Sequence, residues 1–310
     1  MRVGEGMAWL QLTIETNVQH AETLSDLLSE AGALSVTFQD AADQPLFEPE
    51  PDTTPLWDRV RVVGLFDAEH NMQAVDEQLR FLYGESQYRL EPLEDKDWNR
   101  AWMEHFHPMR FGHHVWICPS WCEPPDPLAV NILLDPGLAF GTGTHPTTSL
   151  CLTWLDAHPP VRQKVIDYGC GSGILAIAAL KLGAEHVLAI DHDPQALTAT
   201  QDNAVRNQIL PEALTVSLPP FLGDASRDDN SGIDETVDYL LANILAQPLL
   251  DLAPLFATLV RPNGKIVLSG ILETQADAVI SRYQTWFDMG FDKDSLQTLE
   301  GWACLSGSRK

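Results

Sequence analysis

Asp167-Tyr168-Gly169-Cys170-Gly171-Ser172-Gly173 is the stretch that decides the fold. Three glycines at alternate positions favour neither strand nor helix, because glycine offers no side chain to pack and the most backbone freedom to lose. Before them, Val165 to Asp167 reads as the end of a strand. After them, Ile174 to Leu182 is rich in alanine and leucine and reads as a helix closed by Gly183. A strand, a glycine turn and a helix form a nucleotide-binding element in which ligand can touch backbone. The alternation continues downstream. His186 to Asp191, Leu214 to Leu218, Val237 to Ala242 and Lys265 to Leu268 read as strands. A helix starting at Pro194 and capped by Asp193 lies among them, as do helices over Pro248 to Val260 and Thr274 to Met289. This order predicts an α/β, Rossmann-like domain with a mostly parallel sheet covered on both faces.

The spacing of the glycines selects the ligand. A dinucleotide fingerprint is G-x-G-x-x-G, with pyrophosphate on the helix N-terminus. Here the pattern is G-x-G-x-G and position 174 is Ile174, which disfavours a dehydrogenase. Asp167 precedes the first glycine, and a carboxylate there suits a cationic ligand better than a phosphate. S-adenosylmethionine carries an ammonium and a sulfonium and no phosphate. Asp191 lies about 20 positions beyond Gly169, where such folds place a carboxylate that accepts from ribose hydroxyls. Asp193 is better placed than Asp191 to cap the following helix.

Two further stretches bear on chemistry. Asp135 to Thr148 is rich in glycine and hydroxyl groups and can close over a polar ligand. Asn243-Ile244-Leu245-Ala246 stands at the carboxyl end of a predicted strand, the edge where open parallel sheets bind ligands. Methyl transfer from a sulfonium is an in-line displacement, so the nucleophile must aim a lone pair at the methyl carbon. Asn243 is the catalytic candidate, because its side-chain carbonyl can accept from an amine and orient it. Ile244, Leu245 and Ala246 offer no ring to stack on a planar substrate, so a flexible aliphatic amine fits.

Residues 1–92 read as a separate domain. Trp9 to Thr16, Leu34 to Phe38, Arg59 to Phe66 and Tyr88 to Leu93 have strand patterning, and Ala21 to Ala31 and Met72 to Leu82 have helical spacing. The order βαββαβ predicts a small α+β ferredoxin-like domain. Residues 93–108 read as a linker helix carrying Trp98 and Trp102 on one face, followed by a catalytic domain over 109–310.

Forty-four acidic residues face 19 basic ones, for a formal charge of −25. That surface repels nucleic acid and attracts a basic protein, and it also serves plain solubility. The five cysteines form no disulfide framework, and Cys118-Pro119-Ser120-Trp121-Cys122 lacks zinc-ligand spacing, so no metal is expected. No apolar run approaches the ~20 residues of a membrane span, and the start lacks a signal peptide, which predicts a cytoplasmic protein. No large apolar surface helix is evident, which suggests a monomer.

The chain resembles the PrmA family, the methyltransferases of large-subunit ribosomal protein eleven. The resemblance rests on Ala33 to Phe38, the tryptophan linker, Trp116 to Trp121, Phe140 to Thr148, the glycine loop and Asn243-Ile244-Leu245. It implies a class I S-adenosylmethionine-dependent methyltransferase domain preceded by a domain that recognises the ribosomal protein. It also implies cofactor contacts from Thr148, Gly169, Asp191 and Asn243. The expected activity is a protein-lysine N-methyltransferase that modifies lysine ε-amines and the N-terminal α-amine of ribosomal protein eleven, mainly in its free form. Met7 matches the family's usual start, and Gly223-Asp224 is a further candidate contact to adenine.

Overall fold

The computed structural model describes residues 9–42, 44, 54–83, 88–93, 106–135, 145–219, 236–289 and 295–310. The backbone divides into two units, Met1–Glu104 and His105–Lys310.

The first unit contains β1 (Trp9–Asn17), α1 (Val18–Glu30), β2 (Ser35–Asp40), β3 (Arg59–Asp67), α2 (Met72–Tyr83) and β4 (Tyr88–Leu93). Its sheet has the order β2-β3-β1-β4, and every neighbouring pair is antiparallel. Strand periodicity drives this sheet: Val60, Val62, Gly64 and Phe66 of β3 are buried, while the residues between them are more open. Ala21, Leu24 and Leu28 of α1 are fully buried at helical spacing. The helix begins at Val18 rather than the predicted Ala21, because Asn17 accepts the His20 N–H at 3.2 Å and caps it. Gly32, with φ of +95°, turns the chain after α1 as expected. Of the predicted linker helix over 93–108, residues 94–105, with Trp98 and Trp102, lie outside the described residues. Leu93 belongs to β4, and 106–108 are not helical.

The second unit opens with a three-stranded sheet that the sequence pattern did not announce: β5 (Met109–Phe111), β6 (Val115–Cys118) and β7 (Val130–Leu133). The large sheet runs β10-β9-β8-β11-β12-β15-β13, with β14 on β15. Its strands are β8 (Lys164–Tyr168), β9 (His186–Ile190), β10 (Leu214–Ser217), β11 (Val237–Asn243), β12 (Val260–Leu272), β13 (Phe287–Met289), β14 (Leu296–Leu299) and β15 (Trp302–Arg309). The helices are α3 (Pro146–Ala157), α4 (Ile174–Lys181), α5 (Pro194–Arg206), α6 (Ala246–Leu259) and α7 (Ala276–Tyr283). Neighbours are parallel from β10 through β12 and antiparallel at β15, β13 and β14. The sheet is therefore mixed: the five strands from β10 to β12 are parallel, in keeping with the mostly parallel expectation, and β13, β14 and β15 add an antiparallel edge. Glu300 and Gly301, both at positive φ, form the tight turn that folds β15 back on β14.

One predicted helix is corrected as well. Thr274 to Met289 breaks after Tyr283, and Phe287 and Met289 alternate as buried residues of β13 against β15. Edge pairing there outweighs helical periodicity. One apolar layer joins Leu152 and Leu155 of α3 and Ile177 of α4 to Val165, Leu241 and Val267 of the sheet. The other joins Leu249 and Phe256 of α6 and Val279 and Tyr283 of α7 to Ile166, Leu240 and Leu268. Both faces of the large sheet are thus covered. Among the described residues, no helix is long and apolar enough to cross a membrane.

Candidate active site

The chain leaves β8 at Tyr168 and passes through Gly169, Gly171 and Gly173, all in the left-handed region with φ of 79°, 53° and 77°. Side chains rarely adopt that region, and the space forbids them too. A Cβ on Gly169 would collide with Cγ2 of Ile244, and one on Gly173 would lie 2.8 Å from Cγ2 of Thr200. The loop is held mainly through its backbone. The N–H groups of Gly169 and Cys170 donate to the Ile190 carbonyl at 2.7 and 3.0 Å, and Gly173 N–H donates to the Cys170 carbonyl at 2.8 Å. From α5, Thr200 Oγ1 donates to the Gly171 carbonyl at 3.0 Å and Asn203 Nδ2 donates to the Ser172 carbonyl at 2.9 Å.

Asp191 follows the end of β9. Its Oδ2 accepts the Gly171 N–H at 2.9 Å and its Oδ1 accepts the Asp193 N–H at 3.0 Å. Asp193, not Asp191, caps α5, through the Gln195 N–H at 2.8 Å. His192 Nδ1 also lies 3.4 Å from Oδ1, while Oδ2 keeps further acceptor capacity, since a carboxylate oxygen has two lone pairs.

Asp167 is 1 % exposed. Its Oδ2 accepts the Ala176 N–H at 2.9 Å, which supplies the N-terminal cap that Gly173 cannot give to α4. Its Oδ1 is buried without a hydrogen-bond partner among the described residues. Burial pushes the Asp167 carboxyl up to about 7; the Ala176 N–H opposes the rise and the Asp191 carboxylate adds to it.

Asn243 ends β11, in register with Ser269 of β12. Its Nδ2 donates to Thr148 Oγ1 at 3.3 Å, while its Oδ1 is buried with no partner among the described residues. Thr148 is fully buried in the first turn of α3. That turn is held by His145 as N-cap, with Pro146 in the first position. Burial lowers the His145 pKa against the opposing pull of Glu300, which favours the neutral ring whose Nδ1 accepts the Thr147 N–H. Gly270, at φ of +84°, lets β12 pass close to the Ile244 backbone, where a Cβ would lie 2.8 Å from Ile244 N.

The four predicted contact residues therefore converge. Ala242 lies beside Tyr168 in the β11–β8 register, Ile244 packs against Gly169, Asp191 holds the glycine loop, and Thr148 bonds to Asn243. They gather at the carboxyl edge beside the β8–β11 boundary. There the strand order reverses, because β9 and β10 continue on one side of β8 and β11 returns on the other. Residues 136–144 of the hydroxyl-rich loop and Gly223-Asp224 lie outside the described residues. Thr200 and Asn203 were missed by sequence reading. Their signal is the spacing of Thr200, Asn203 and Asn207, three polar residues buried on one face of α5 and at its end. Among the described residues, no group of His, Cys, Asp or Glu could hold a metal ion. His113 and His114 instead direct their backbone N–H groups to Asp156.

A family profile described as ribosomal protein L11 methyltransferase (PrmA) matches residues 8–310. The chain is 50% identical over 307 residues to a ribosomal protein L11 methyltransferase of Shewanella amazonensis, covering 98% of this chain and 99% of that protein. It is 52% identical over 307 residues to the protein of the same name from Hydrogenovibrio crunogenus, at 98% and 99% coverage. Among solved structures, the ribosomal protein L11 methylase of Lactobacillus delbrueckii subsp. bulgaricus superposes with a TM-score of 0.57 at 34% identity, covering 66% of this chain and 100% of that one.

Proposed function

We propose, from the premise that this chain belongs to the ribosomal protein L11 methyltransferase (PrmA) family and is a methyltransferase of ribosomal protein L11, that it takes methyl groups from S-adenosylmethionine and delivers them to lysine ε-amines and the N-terminal α-amine of that protein. The observation that carries the reading is the Asn243 amide, tied at Nδ2 to Thr148 and left with a buried Oδ1 that has no partner among the described residues, beside the glycine loop. A buried acceptor without a donor is costly unless a ligand completes it.

The residues suit this cofactor. The glycine loop presents backbone in place of side chains, Asp191 has acceptor capacity for ribose hydroxyls, and Asp167 and Asp191 make the locality favourable to positive charge. Gly169, Asp191, Thr148 and Asn243 hold the cofactor in this reading. When bound, S-adenosylmethionine supplies a methyl group on a cationic sulfur.

Asn243 does the positioning. Its Oδ1 accepts an N–H of the incoming neutral amine, which turns the nitrogen lone pair toward the methyl carbon. Thr148 fixes the amide so that oxygen, not nitrogen, faces the amine. The amine must first lose a proton. Lysine has an ordinary pKa of ~10.4 and an α-amine one of ~7.7–8.0, and an apolar rim lowers both. Ile244 and Leu245 supply such a rim, and Leu245 is 54 % exposed at the start of α6. Water then takes the proton.

The βαββαβ order and the strand order of the first unit match a ferredoxin-like fold, and residues 1–92 act as the substrate-recognition domain in this reading. The acidic surface favours free ribosomal protein over one clothed in RNA, binds no nucleic acid directly and suits a cytoplasmic monomer. Mass spectrometry of free L11 after incubation with the enzyme and cofactor tests the proposal. Methyl groups on lysines and the α-amine are expected. Methylation confined to glutamine or to nucleobases would overturn it.

A further inference from the structure

The last turn of α5 carries a charged pair that the packing of the helix does not require. Asn207, just beyond the helix, already fastens α5 to β7. Its Oδ1 accepts the Leu133 N–H at 2.8 Å and its Nδ2 donates to the Leu133 carbonyl at 2.7 Å, much as a neighbouring strand would. Its Nδ2 also donates to the Asn203 carbonyl at 2.9 Å. Arg206, the last residue of α5, lies beside this tie and is partly exposed. An ion pair at such exposure contributes little to stability. A positive charge at a helix C-terminus is favourable, but that accounts for the charge and not for where the guanidinium points.

Arg206 Nη1 faces two oxygens. It donates to Asn203 Oδ1 at 3.0 Å and lies 3.4 Å from Asp135 Oδ2. Asp135 is itself fixed: its Oδ1 accepts the Ser120 N–H at 2.7 Å and its Oδ2 accepts the Ser120 hydroxyl at 2.9 Å. Asn203 is buried, and its amide can sit two ways. With Oδ1 on the guanidinium, Nδ2 faces the Ser172 carbonyl, to which it donates at 2.9 Å. Turned over, the amide would set Oδ1 against that carbonyl and Nδ2 against a cation, and both contacts would repel. A polar relay thus runs from Ser120 through Asp135, Arg206 and Asn203 to Ser172. It joins the residue that opens the stretch Asp135 to Thr148 to the second half of the glycine loop.

We propose that Arg206 is a positioning residue of the cofactor site: by holding the Asn203 amide in one orientation, it fixes the Ser172 carbonyl and with it the glycine loop against which S-adenosylmethionine lies. Arg206 touches neither cofactor nor substrate and acts through Asn203. The proposal rests on the reading of the glycine loop as the S-adenosylmethionine site. It adds a residue outside that site that sets how tightly the site binds.

The test uses the full-length enzyme and calorimetric binding of S-adenosylmethionine. Arg206→Met keeps the stem and removes the guanidinium. Binding should weaken about 5-fold, as for the loss of one hydrogen bond, while kcat at saturating cofactor stays within about 2-fold of the wild type. Two double-variant cycles separate positioning from a general loosening of the fold. Asn203→Ala should weaken binding about 10-fold, and adding Arg206→Met should then change it less than about 2-fold, because no amide is left to orient. Asp135→Asn should weaken binding about 3-fold alone and have no effect in Arg206→Met. Arg206 and Asp135 are both partly exposed, so the second cycle reads the relay even where Asn203→Ala does not fold, and an unchanged thermal midpoint confirms folding. Wild-type affinity in Arg206→Met overturns this proposal alone, as does a loss of the same size with and without the partner residue. A fall in kcat with affinity intact also overturns it. A wild type that binds no S-adenosylmethionine overturns the cofactor reading and this proposal with it.

Discussion

The glycine loop and the Asn243 corner lie side by side at one sheet edge, yet they are built differently. Around the loop, the N–H groups of Gly169, Cys170, Gly171 and Gly173 are all bonded within the protein, and the carbonyls of Gly171 and Ser172 are held by Thr200 and Asn203. At the corner, the Asn243 amide is tied at one end only among the described residues. The loop is a finished surface against which a cofactor can be laid without rearrangement. The corner keeps an acceptor in reserve for a group that arrives from elsewhere. Pre-organisation thus supports cofactor binding on one side, and an open hydrogen-bond site supports the reaction on the other.

This division predicts that substitutions should separate into affinity and rate effects. The largest effect belongs to Asp191→Ala. It removes the acceptor for Gly171 and Asp193 together with the ribose site, and at about 1.5–3 kcal/mol per hydrogen bond to a charged group the S-adenosylmethionine affinity should fall about 100-fold or more. Calorimetry reads this directly. A variant that bound normally but turned over slowly would erase the distinction between loop and corner.

Thr148→Val keeps the volume and removes the hydroxyl that accepts from Asn243. Loss of one such bond, about 1 kcal/mol, should lower kcat by roughly 5- to 10-fold, with a smaller loss of cofactor affinity because Thr148 also holds the cofactor. Steady-state kinetics under saturating cofactor would show whether the fall lies in kcat or in binding.

The smallest effect concerns pH. The Asp167 carboxyl is raised from an ordinary 3.8 to about 7, so in the free protein it is protonated over much of the range between those values. Its contribution to stability is fully present below about 3.8, declines as pH rises from there because the unfolded chain has released a proton that the folded state still holds, and is gone once pH has climbed through about 7. A cationic ligand favours the ionised form, so cofactor affinity should rise as pH goes from about 6 to 8 and then level off. Asp167→Asn should flatten both profiles. A wild-type affinity independent of pH would detach Asp167 from the cationic ligand.

Much of this was legible in the sequence, and for physical reasons. The glycine spacing, Asp191 and Asn243 lie at strand ends that apolar runs mark clearly, and the first unit's six elements follow from alternation and helical spacing. The antiparallel half of the large sheet did not show itself. The strands β5 to β7, with three or four residues each, carry too short a pattern, and the α7–β13 segment keeps apolar residues at helical spacing through its true break. The braces Thr200 and Asn203 were missed because they act on the loop from a neighbouring helix, and only the packed fold brings them to it.

The measurement that bears most directly on the account is single-turnover methyl transfer to free L11 by Asn243→Ala, paired with calorimetric binding of S-adenosylmethionine. The account predicts transfer slowed about 100-fold, as expected for loss of a pre-organised polar group at the reacting centre, with cofactor affinity changed by only about 3-fold. Transfer at the wild-type rate would contradict it, and so would a collapse of cofactor affinity large enough to explain the lost activity by itself.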